Sequence, residues 1–578
     1  MPRVSAAMVA GGRPVGEPRL SPDGSRLAFV SNAVVVVDAA GGPETVVTTE
    51  PAPAAARSLG GGVFDWAPGG DAVVYASRGA GLWWQPIGGG PARCVVDDPE
   101  AWAPSVSVDG RVAYQLEHRA VVVEGRRLSG DVDFVNDPTW SPDGSTLAWQ
   151  EWDVPAMPWD SSRIVVAPAD GSAPPRLLAG GPGVQVQQPR FSPDGRSLAY
   201  LGDERGWLNL TVVDLATGAT TALEEPFEHG GPTWGPGQRS FAWSPDGRAL
   251  VLCRNEGGFG ALLRWVPGAA PEPLARAVHG GLSWRGDRVA AVRTGGRTPT
   301  QVVTYEGGAR RTIAVGPVAF GDAPVPEPEL VSWPSEGWEI PGRLYRPEGA
   351  ERPPLLCWIH GGPTDQWQVE WRARFSFWLD RGWAILVPDH RGSTGHGRDF
   401  TQALAGRWGE ADVADVAAGI RAAIERGWCD PARVVVVGAS AGGFTALNVL
   451  AEHPDLCRAG VDLYGVADLE ALAAVEYRYE QHYTHSLVGP LDECRDTYRA
   501  RSPIHRAATI TAPVLVLQGR DDVVVPAAQS EAMASGLPRA ELHLYDGEGH
   551  GWGRPATVID ELERTEGFLR AQVGDVDG

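Results

Sequence analysis

The first half of the chain, up to about residue 290, consists of short segments in which apolar and polar residues alternate, each introduced by a similar polar turn. The full phrase is an aromatic or apolar residue, Ser-Pro-Asp-Gly, one or two polar residues, and an alternating apolar segment. Proline presets φ, aspartate bonds its own backbone and glycine supplies positive φ, so each phrase predicts a β-turn followed by a strand. The phrase or a degenerate form of it occurs at residues 20–24, 66–70, 106–110, 140–144, 191–195, 243–247 and 284–286.

The spacing of these phrases predicts how the strands assemble. Successive copies lie 46, 40, 34, 51, 52 and 39 residues apart, which is the length of a four-stranded propeller blade. An irregular β-sandwich with similar turns is the alternative, but sandwiches do not repeat one phrase at blade spacing. We therefore expect a seven-bladed β-propeller over residues 1–325, with most of the tryptophans, which recur at blade positions, in its core.

The hydrophobic pattern changes after a proline-rich and acidic segment, residues 321–329, which is typical of a linker. Continuous apolar runs now alternate with helix-like segments, and such runs are typical of parallel strands covered on both faces. The runs are 355–359, 384–387, 434–437 and 514–517, and the helix-like segments include 413–426 and 527–535. This pattern predicts an α/β domain with a doubly wound, mostly parallel sheet over residues 326–578.

Composition narrows the range of partners and locations. A chain of 578 residues exceeds what one core supports, and its net charge of −22 argues against nucleic acid or an anionic membrane as a partner. No apolar stretch approaches the length of a transmembrane helix, and the N-terminus lacks the apolar region of a signal peptide. The six cysteines are scattered and contain no C-x-x-C, which indicates reduced thiols. We expect a cytoplasmic protein, and the sequence leaves open whether it forms a homo-oligomer.

The strongest chemical signal is the segment Gly438-Ala-Ser-Ala-Gly-Gly443. It follows the apolar run 434–437 and precedes a helix-like segment, residues 444–451. A G-x-S-x-G turn between a strand and a helix is the nucleophile elbow of α/β-hydrolases. Ser440 is therefore the predicted nucleophile, and the N–H of Ala441 is one predicted donor to the oxyanion.

A serine nucleophile needs a base and the base needs an orienting acid, which in this fold follow in the order Ser, Asp or Glu, His. The loop after the apolar run 514–517 contains Asp521 and Asp522, and either could serve; the spacing G-x-x-D-x-x-V-P favours Asp522. The predicted base is His550, flanked by glycines after the strand-like segment 542–545. His543 alternates with leucines there and is better interpreted as a strand surface residue.

The second oxyanion donor is predicted in the loop His360-Gly-Gly-Pro363, where the N–H of Gly362 is the predicted donor. His360 could be read as a base, but its place before the glycines favours a role in shaping the loop. The chain contains no H-E-x-x-H, and we interpret His482 and His485 as non-ligating residues. Neither a metal nor a cofactor is expected.

Taken together, these motifs resemble those of the prolyl oligopeptidase family of serine peptidases, and the nearest branch looks like its acylaminoacyl-peptidase and dipeptidyl-aminopeptidase group. The matching segments are residues 360–363, 391–395, 408–409, 438–443, 522 with 525–526, and 549–551. The resemblance implies a serine exopeptidase acting on short peptides or aminoacyl amides, with a propeller that caps the site and excludes folded proteins. Two departures stand out: Gln518 replaces a histidine of many members, and Val524 replaces the arginine of acylaminoacyl peptidases, which argues against acyl-peptide activity.

An aminopeptidase must also hold the ammonium group of its substrate, and a carboxylate does this best. Glu480, in the aromatic segment 477–483, is the first candidate, with Tyr479 in the wall of the adjacent pocket; Glu228 from the propeller is the second. A solvated acid or a salt-bridge partner is the alternative for each carboxylate. Two rival functions are an esterase or amidase for a small aminoacyl compound, such as a peptide-like antibiotic, and an inactive propeller scaffold, which the complete set of triad residues opposes.

Overall fold

A computed structural model describes residues 3–54, 61–316, 320, 327–475 and 478–574. Contacts divide the chain into two units: residues 13–295 with 299–317, and residues 1–12 with 296–298 and 318–578. The sequence-based division at 325/326 differs from these units, which place residues 296–298, the boundary at 317/318 and the residues up to Gly12 differently. The helix Ala6–Ala10 packs against the helix Pro555–Val573 of the second unit. Of the predicted linker, residues 321–326 lie outside the described part of the chain.

The described part of the first unit contains seven antiparallel sheets of four strands each, which confirms the seven-bladed propeller. Each sheet keeps its strands in chain order, and the repeated phrase forms the turn between the first and second strand of a blade. The strands are β1 (Gly16–Leu20), β2 (Arg26–Ser31), β3 (Ala33–Asp38), β4 (Thr45–Val46), β5 (Phe64–Trp66), β6 (Ala72–Ser77), β7 (Gly81–Pro86), β8 (Arg93–Val96), β9 (Ala101–Val106), β10 (Val112–Leu116), β11 (Ala120–Val123), β12 (Arg126–Arg127), β13 (Phe134–Trp140), β14 (Thr146–Trp152), β15 (Ser162–Pro168), β16 (Arg176–Gly181), β17 (Val186–Phe191), β18 (Ser197–Gly202), β19 (Asn209–Asp214), β20 (Thr220–Ala222), β21 (Phe241–Trp243), β22 (Leu250–Glu256), β23 (Phe259–Trp265), β24 (Glu272–Arg276), β25 (Val278–Arg285), β26 (Arg288–Gly295), β27 (Thr298–Glu306) and β28 (Ala309–Val315).

The turn between β13 and β14 shows why the phrase recurs. Asp143 Oδ1 accepts hydrogen bonds from Ser141 Oγ at 2.6 Å and from the N–H of Ser145 at 3.0 Å. The N–H of Gly144 donates to Ser141 O at 2.9 Å, and Gly144 has a φ of 72°. Glycine adopts this left-handed conformation at low cost, so the four residues reverse the chain within one tight turn.

Tryptophans at the start of the phrase tie neighbouring blades together. Three indoles donate across a blade boundary: Trp66 Nε1 to Arg19 O at 2.9 Å, Trp140 Nε1 to Ser105 O at 2.9 Å, and Trp243 Nε1 to Arg190 O at 3.1 Å. All three side chains are buried, so each adds apolar contact and satisfies a carbonyl of the preceding blade. These tryptophans therefore belong to the propeller core, as the repeat predicts.

The second unit is built on one eight-stranded sheet in the order β29-β30-β32-β31-β33-β34-β35-β36. β30 pairs antiparallel with both β29 and β32, and the remaining five pairs are parallel, which confirms the doubly wound, mostly parallel sheet. The strands are β29 (Glu329–Ser335), β30 (Trp338–Tyr345), β31 (Leu355–Ile359), β32 (Ala384–Pro388), β33 (Val434–Ala439), β34 (Ala459–Leu463), β35 (Val514–Gly519) and β36 (Ala540–Tyr545).

Helices cover both faces of this sheet, with one apolar core on each face. They are α1 (Ala6–Ala10), α2 (Ala373–Leu379), α3 (Arg398–Gln402), α4 (Ala411–Glu425), α5 (Ala441–Glu452), α6 (Leu469–Ala473), α7 (Tyr483–Val488), α8 (Leu491–Arg501), α9 (Ala527–Gly536) and α10 (Pro555–Val573), with 3-10 turns at Pro431–Arg433, Arg478–Glu480 and Pro503–Thr509. The carboxyl ends of the parallel strands meet at one edge, where sites of α/β sheets form. Among the described residues, no helix has both the length and the apolar character needed to span a bilayer.

Candidate active site

Ser440 lies on the tight turn between β33 and α5, with a φ of 55° and a ψ of −123°. Its N–H donates to Leu463 O at 3.0 Å, which ties the turn to the end of β34. A Cβ on Gly438 would lie 2.0 Å from Gly442 O, so the strand and the helix approach more closely than any side chain would allow. A left-handed serine costs about 1–3 kcal/mol, and the surrounding packing holds it there.

Asp522 and His550 are in direct contact. His550 Nδ1 donates to Asp522 Oδ2 at 2.7 Å, and the Asp522 side chain is fully buried. The other oxygen of Asp522 accepts from the N–H groups of Val524 at 2.8 Å and Val525 at 2.9 Å. Acceptance on both oxygens fixes the carboxylate, which in turn holds the imidazole in the tautomer whose Nε2 can accept a proton. Asp521, the alternative acid, is exposed.

Ser440 and His550 lie against the same short segment of chain. Ser440 is hydrogen-bonded to Leu463, and the ring of the next residue, Tyr464, packs edge-on against His550 with centroids 4.8 Å apart. Trp552 also packs edge-on against Tyr464, with centroids 5.1 Å apart. Within the described residues no hydrogen bond joins Ser440 Oγ to the imidazole, and such bonds commonly tighten only when substrate binds.

Gln518 supports the acid, a role that the sequence did not suggest. Its Nε2 donates to Asp522 Oδ2 at 3.1 Å, to Gly519 O at 3.0 Å and to Val525 O at 3.2 Å. Its Oε1 accepts from Ser530 Oγ at 2.8 Å, which fixes the orientation of the amide. The residue that departs from the family pattern is therefore a buried donor to the acid. The position of Gln518 at the end of β35, four residues before Asp522, is the sequence feature that could have pointed to this supporting role.

The predicted oxyanion donors flank the nucleophile. Ala441 is the first residue of α5, where N–H groups have no partner within the helix. A Cβ on Gly361 would lie 3.3 Å from Ser440 Cβ, so the loop that carries Gly362 runs beside the serine. Gly362 has a φ of 121°, which side chains disfavour. Tyr483 holds this loop by accepting from the N–H of Thr364 at 3.0 Å and donating to its hydroxyl at 2.7 Å.

His360 is buried, and one ring nitrogen bonds within its own loop while the other bonds to the loop after β32. Nε2 accepts from Ser393 Oγ at 2.8 Å, and Nδ1 donates to Gly361 O at 2.8 Å. Burial, together with the stacked ring of His390, lowers the pKa of His360 to about 3. A neutral, doubly bonded imidazole orders the glycine loop, in agreement with the loop-shaping interpretation.

The candidates for holding an ammonium group lie in different units. Tyr479 is buried and Glu480 half-buried on the 3-10 turn Arg478–Glu480 of the α/β unit. Burial raises the pKa of Glu480, and a smaller opposing effect of His550 shows that this carboxyl lies within electrostatic reach of the base. Glu228 is buried in the propeller, where its carbonyl accepts from the N–H of Asn255 at 2.8 Å.

Other residues near this region carry no ligand geometry. The rings of His482 and His485 have centroids 6.1 Å apart. Across the described ranges, no group of three or more side chains is arranged to ligate a metal. Tyr477, the first residue of the predicted aromatic segment, lies outside the described residues.

Comparison with known proteins gives a family match in the α/β unit. The model of the prolyl oligopeptidase family matches residues 367–576. Dipeptidyl aminopeptidase BIII of Pseudoxanthomonas mexicana is 30% identical over 230 residues, which cover 38% of this chain and 33% of that protein. Dipeptidyl-peptidase 5 of Porphyromonas gingivalis is 24% identical over 458 residues, or 74% of this chain and 65% of that protein. The chain spans about a third of the length of the first curated relatives it matches.

Solved structures extend the similarity to nearly the whole chain. Puromycin hydrolase superposes with a TM-score of 0.88 at 29% identity, covering 99% of this chain and 96% of the other. A puromycin-hydrolyzing peptidase of Mycobacterium tuberculosis superposes with a TM-score of 0.90 at 26% identity, with the same coverage.

Proposed function

We propose that this chain is a member of the prolyl oligopeptidase family and a serine exopeptidase that hydrolyses short peptides or aminoacyl amides next to a free N-terminus. The observation that carries this proposal is the buried Asp522–His550 pair, 2.7 Å between Oδ2 and Nδ1, beside a serine held on a strained strand-to-helix turn. This is the arrangement that makes a serine hydroxyl nucleophilic.

The proposed reaction is acyl transfer through Ser440. His550 Nε2 takes the hydroxyl proton as Ser440 Oγ attacks the carbonyl carbon, and Asp522 stabilises the imidazolium that forms. The N–H groups of Ala441 and Gly362 stabilise the negative charge on the carbonyl oxygen. His550 then passes its proton to the leaving amine, and a water molecule, activated by the same imidazole, releases the acyl group from Ser440.

The proposed anchor for the substrate ammonium is Glu480. Its half-buried carboxyl lies close enough to the triad to influence it electrostatically, and a cation would favour its ionised form. Tyr479 would bound the pocket for the first side chain. Glu228 is the second candidate, and a Glu228→Gln variant separates the two, since only the true anchor loses discrimination between free and blocked N-termini.

A second candidate function is hydrolysis of a small aminoacyl amide of the puromycin type. Two solved structures with this activity in their names match 99% of the chain. The same Ser440, His550 and Asp522 would serve both reactions, because each cleaves the amide after an aminoacyl group.

One substrate panel tests both functions: aminoacyl anilides, their N-acetylated counterparts, dipeptidyl anilides, simple esters and puromycin. We expect turnover of free aminoacyl or dipeptidyl anilides, with N-acetylation lowering kcat/KM by at least about tenfold, because a buried ammonium–carboxylate contact is lost. Turnover of puromycin but no peptide would favour the second function. Turnover of esters alone would contradict both amide-cleaving functions and would favour the esterase alternative.

We also propose a cytoplasmic location, because all six cysteines are free thiols. Fractionation of cells followed by detection of the protein with an antibody tests this proposal. Recovery with the secreted or envelope fraction would contradict it.

A further inference from the structure

The first strands of the propeller blades carry polar side chains on irregular backbone. First strands of neighbouring blades contact each other, as β1 does with β25 and β13 with β17. The pairing register of these strands shifts near Glu17, Asp137 and Gln188, which have φ values of 49°, 56° and 57°. A β-bulge redirects the side chain at its site, so the same irregularity places charged and polar groups together in several blades.

Three arginines from different blades meet in this part of the propeller. Arg19 lies on β1, Arg190 on β17 and Arg239 just before β21. Burial has the largest effect in lowering the pKa of Arg239, and electrostatic repulsion from Arg19 and Arg190 lowers it further. Arg19 pairs with Asp65 at 3.1 Å and with Glu17 at 4.0 Å, and Arg190 pairs with Asp137 at 3.7 Å.

Arg239 differs from the other two arginines. Within residues 13–54 and 61–316 no carboxylate forms an ion pair with it, and its Nε is buried without a hydrogen-bond acceptor. The side chain is half-buried, and Asp65 and Asp137 offset part of the repulsion from the other two arginines without forming an ion pair with Arg239. Its Nε therefore lacks an acceptor that an anion in the adjacent space would supply.

A cavity of about 330 Å³ lies directly beside Arg239. Its wall includes Glu17, Arg19, Gln238, Arg239, Gly280 and Gly281. A Cβ built on Gly280 would meet nothing within 4 Å, so this side of the cavity is open space and not packed side chains. The volume is large enough for a small ion with several waters, since a water occupies about 30 Å³ in the liquid.

We propose that this cavity binds a small oxyanion, a carboxylate or a phosphate, which is held by Arg239 with Arg19 beside it. A guanidinium presents its N–H groups as a planar fork that matches two oxygens of either group. The chain as a whole carries a charge of −22 and repels anions in solution. Anion binding must therefore come from the arginines at this cavity and not from the overall charge. Burial raises the pKa of Glu17, which favours its protonated form and reduces its competition with the anion.

The test compares thermal unfolding midpoints in inorganic phosphate, acetate and sodium chloride at equal ionic strength. We expect the unfolding midpoint to rise saturably in phosphate or acetate relative to chloride. The anion that saturates at the lower concentration shows whether the site prefers a phosphate or a carboxylate. Arg239→Gln should weaken this response at least about tenfold, because a charged hydrogen bond is lost. Arg196→Gln is the matched control, since Arg196 has a side chain 85% exposed and should leave the response unchanged.

Two further measurements separate binding from a structural role. Without added anion, Arg239→Gln should raise the unfolding midpoint, because it removes an unpaired charge next to two other guanidiniums. Gly280→Val should block the cavity and weaken the response at least about tenfold while leaving the arginines in place. The proposal is overturned if neither anion acts beyond chloride, if Arg239→Gln responds like the wild type, or if that variant lowers the midpoint without anion.

Discussion

At the scale of single residues, the proposed nucleophile depends on a backbone conformation that its own side chain disfavours. Ser440 combines a φ of 55° with a ψ of −123°, and the short spacing between Gly438 and Gly442 enforces the turn. The motif in the sequence predicts this turn because glycine is required at fixed offsets on both sides. The backbone strain is therefore at Ser440 itself. Substitutions of Ser440 allow its effect on catalysis and its effect on stability to be measured separately.

Ser440→Ala and Ser440→Gly should both lower kcat/KM at least about a thousandfold, because the nucleophile is lost. They should differ in stability: Ser440→Gly should be more stable than Ser440→Ala by about 1 kcal/mol, because glycine adopts positive φ without strain. Activity assays and urea unfolding of the two variants measure the two effects. Turnover in Ser440→Ala would exclude this serine as the nucleophile.

Gln518 is a positioning residue whose removal should change a titration as well as a rate. Gln518→Glu places a second carboxylate beside Asp522 and removes the donor of three hydrogen bonds. The added charge stabilises the imidazolium of His550, so the acid limb of the kcat/KM profile should move to higher pH by about one unit, and the rate should fall about tenfold or more.

Two control variants test whether this effect is specific. Gln518→His restores a donor and should keep the acid limb near its wild-type position. Gln529→Glu also changes a buried glutamine, but its Oε1 already accepts from the N–H groups of Ala467 at 2.8 Å and Asp468 at 3.0 Å. An equal shift in Gln529→Glu would contradict a local role for Gln518.

Asp462, on β34 behind the nucleophile turn, links stability to pH. Its side chain is 1% exposed, neither carboxylate oxygen accepts a well-aligned hydrogen bond, and burial raises its pKa to about 7. The unfolded chain ionises this group near its ordinary pKa, so the folded state loses stability as the pH rises towards 7. Asp462→Asn should gain about 2–3 kcal/mol over the wild type between pH 5 and pH 7.

Urea unfolding of Asp462→Asn and the wild type at several pH values measures this gain. Asp521→Asn, which changes an exposed carboxylate, is the control and should track the wild type. A stability difference that does not vary with pH would show that the pKa of Asp462 is the same in the folded and unfolded chain, which would contradict the prediction.

At the scale of elements, the repeat phrase located the second strand of each blade, and the apolar runs located β31, β32, β33 and β35 to within a few residues. The expected strand 355–359 is β31 without change, and the expected helix 413–426 is α4, Ala411–Glu425. The bulges of the first strands were not predictable, because period-2 alternation does not reveal a residue inserted without a pairing partner. The bonds between blades were also hidden, since they join residues about 35–53 positions apart.

The bond from Trp66 to the preceding blade can be tested by a substitution that keeps most of the apolar contact. Trp66→Phe should destabilise the protein by about 1–2 kcal/mol, because Arg19 O loses its buried donor. Trp284→Phe is the matched control: it occupies the same place in the phrase, but its indole donates within its own turn to Gly286 O at 3.1 Å. Equal losses on urea unfolding would show that the bond between blades adds nothing.

At the scale of the whole molecule, the order of elements fixed the fold class, since strand repeats followed by alternating strands and helices allow few architectures. The assignment of residues up to Gly12 to the α/β unit was not predictable, because a five-residue helix at the chain terminus shows no periodicity long enough to reveal its partner. The arginine cluster was hidden for a related reason: Arg19, Arg190 and Arg239 are far apart in sequence and meet only through the closure of the blades.

The net charge of the chain predicts how the association of a cationic substrate depends on salt. With a formal charge of −22, the molecule attracts cationic substrates over a distance set by ionic strength, and salt shortens that distance. The kcat/KM for an aminoacyl anilide with a free ammonium should therefore fall several-fold between about 20 and 300 mM salt, whereas that of an uncharged ester should change little. Glu480→Gln should lower kcat/KM at every ionic strength but retain most of this salt dependence, because one carboxylate holds the bound ammonium while the whole surface steers it. If the variant lost the salt dependence entirely, attraction would be due to that single carboxylate and not to the charge of the molecule.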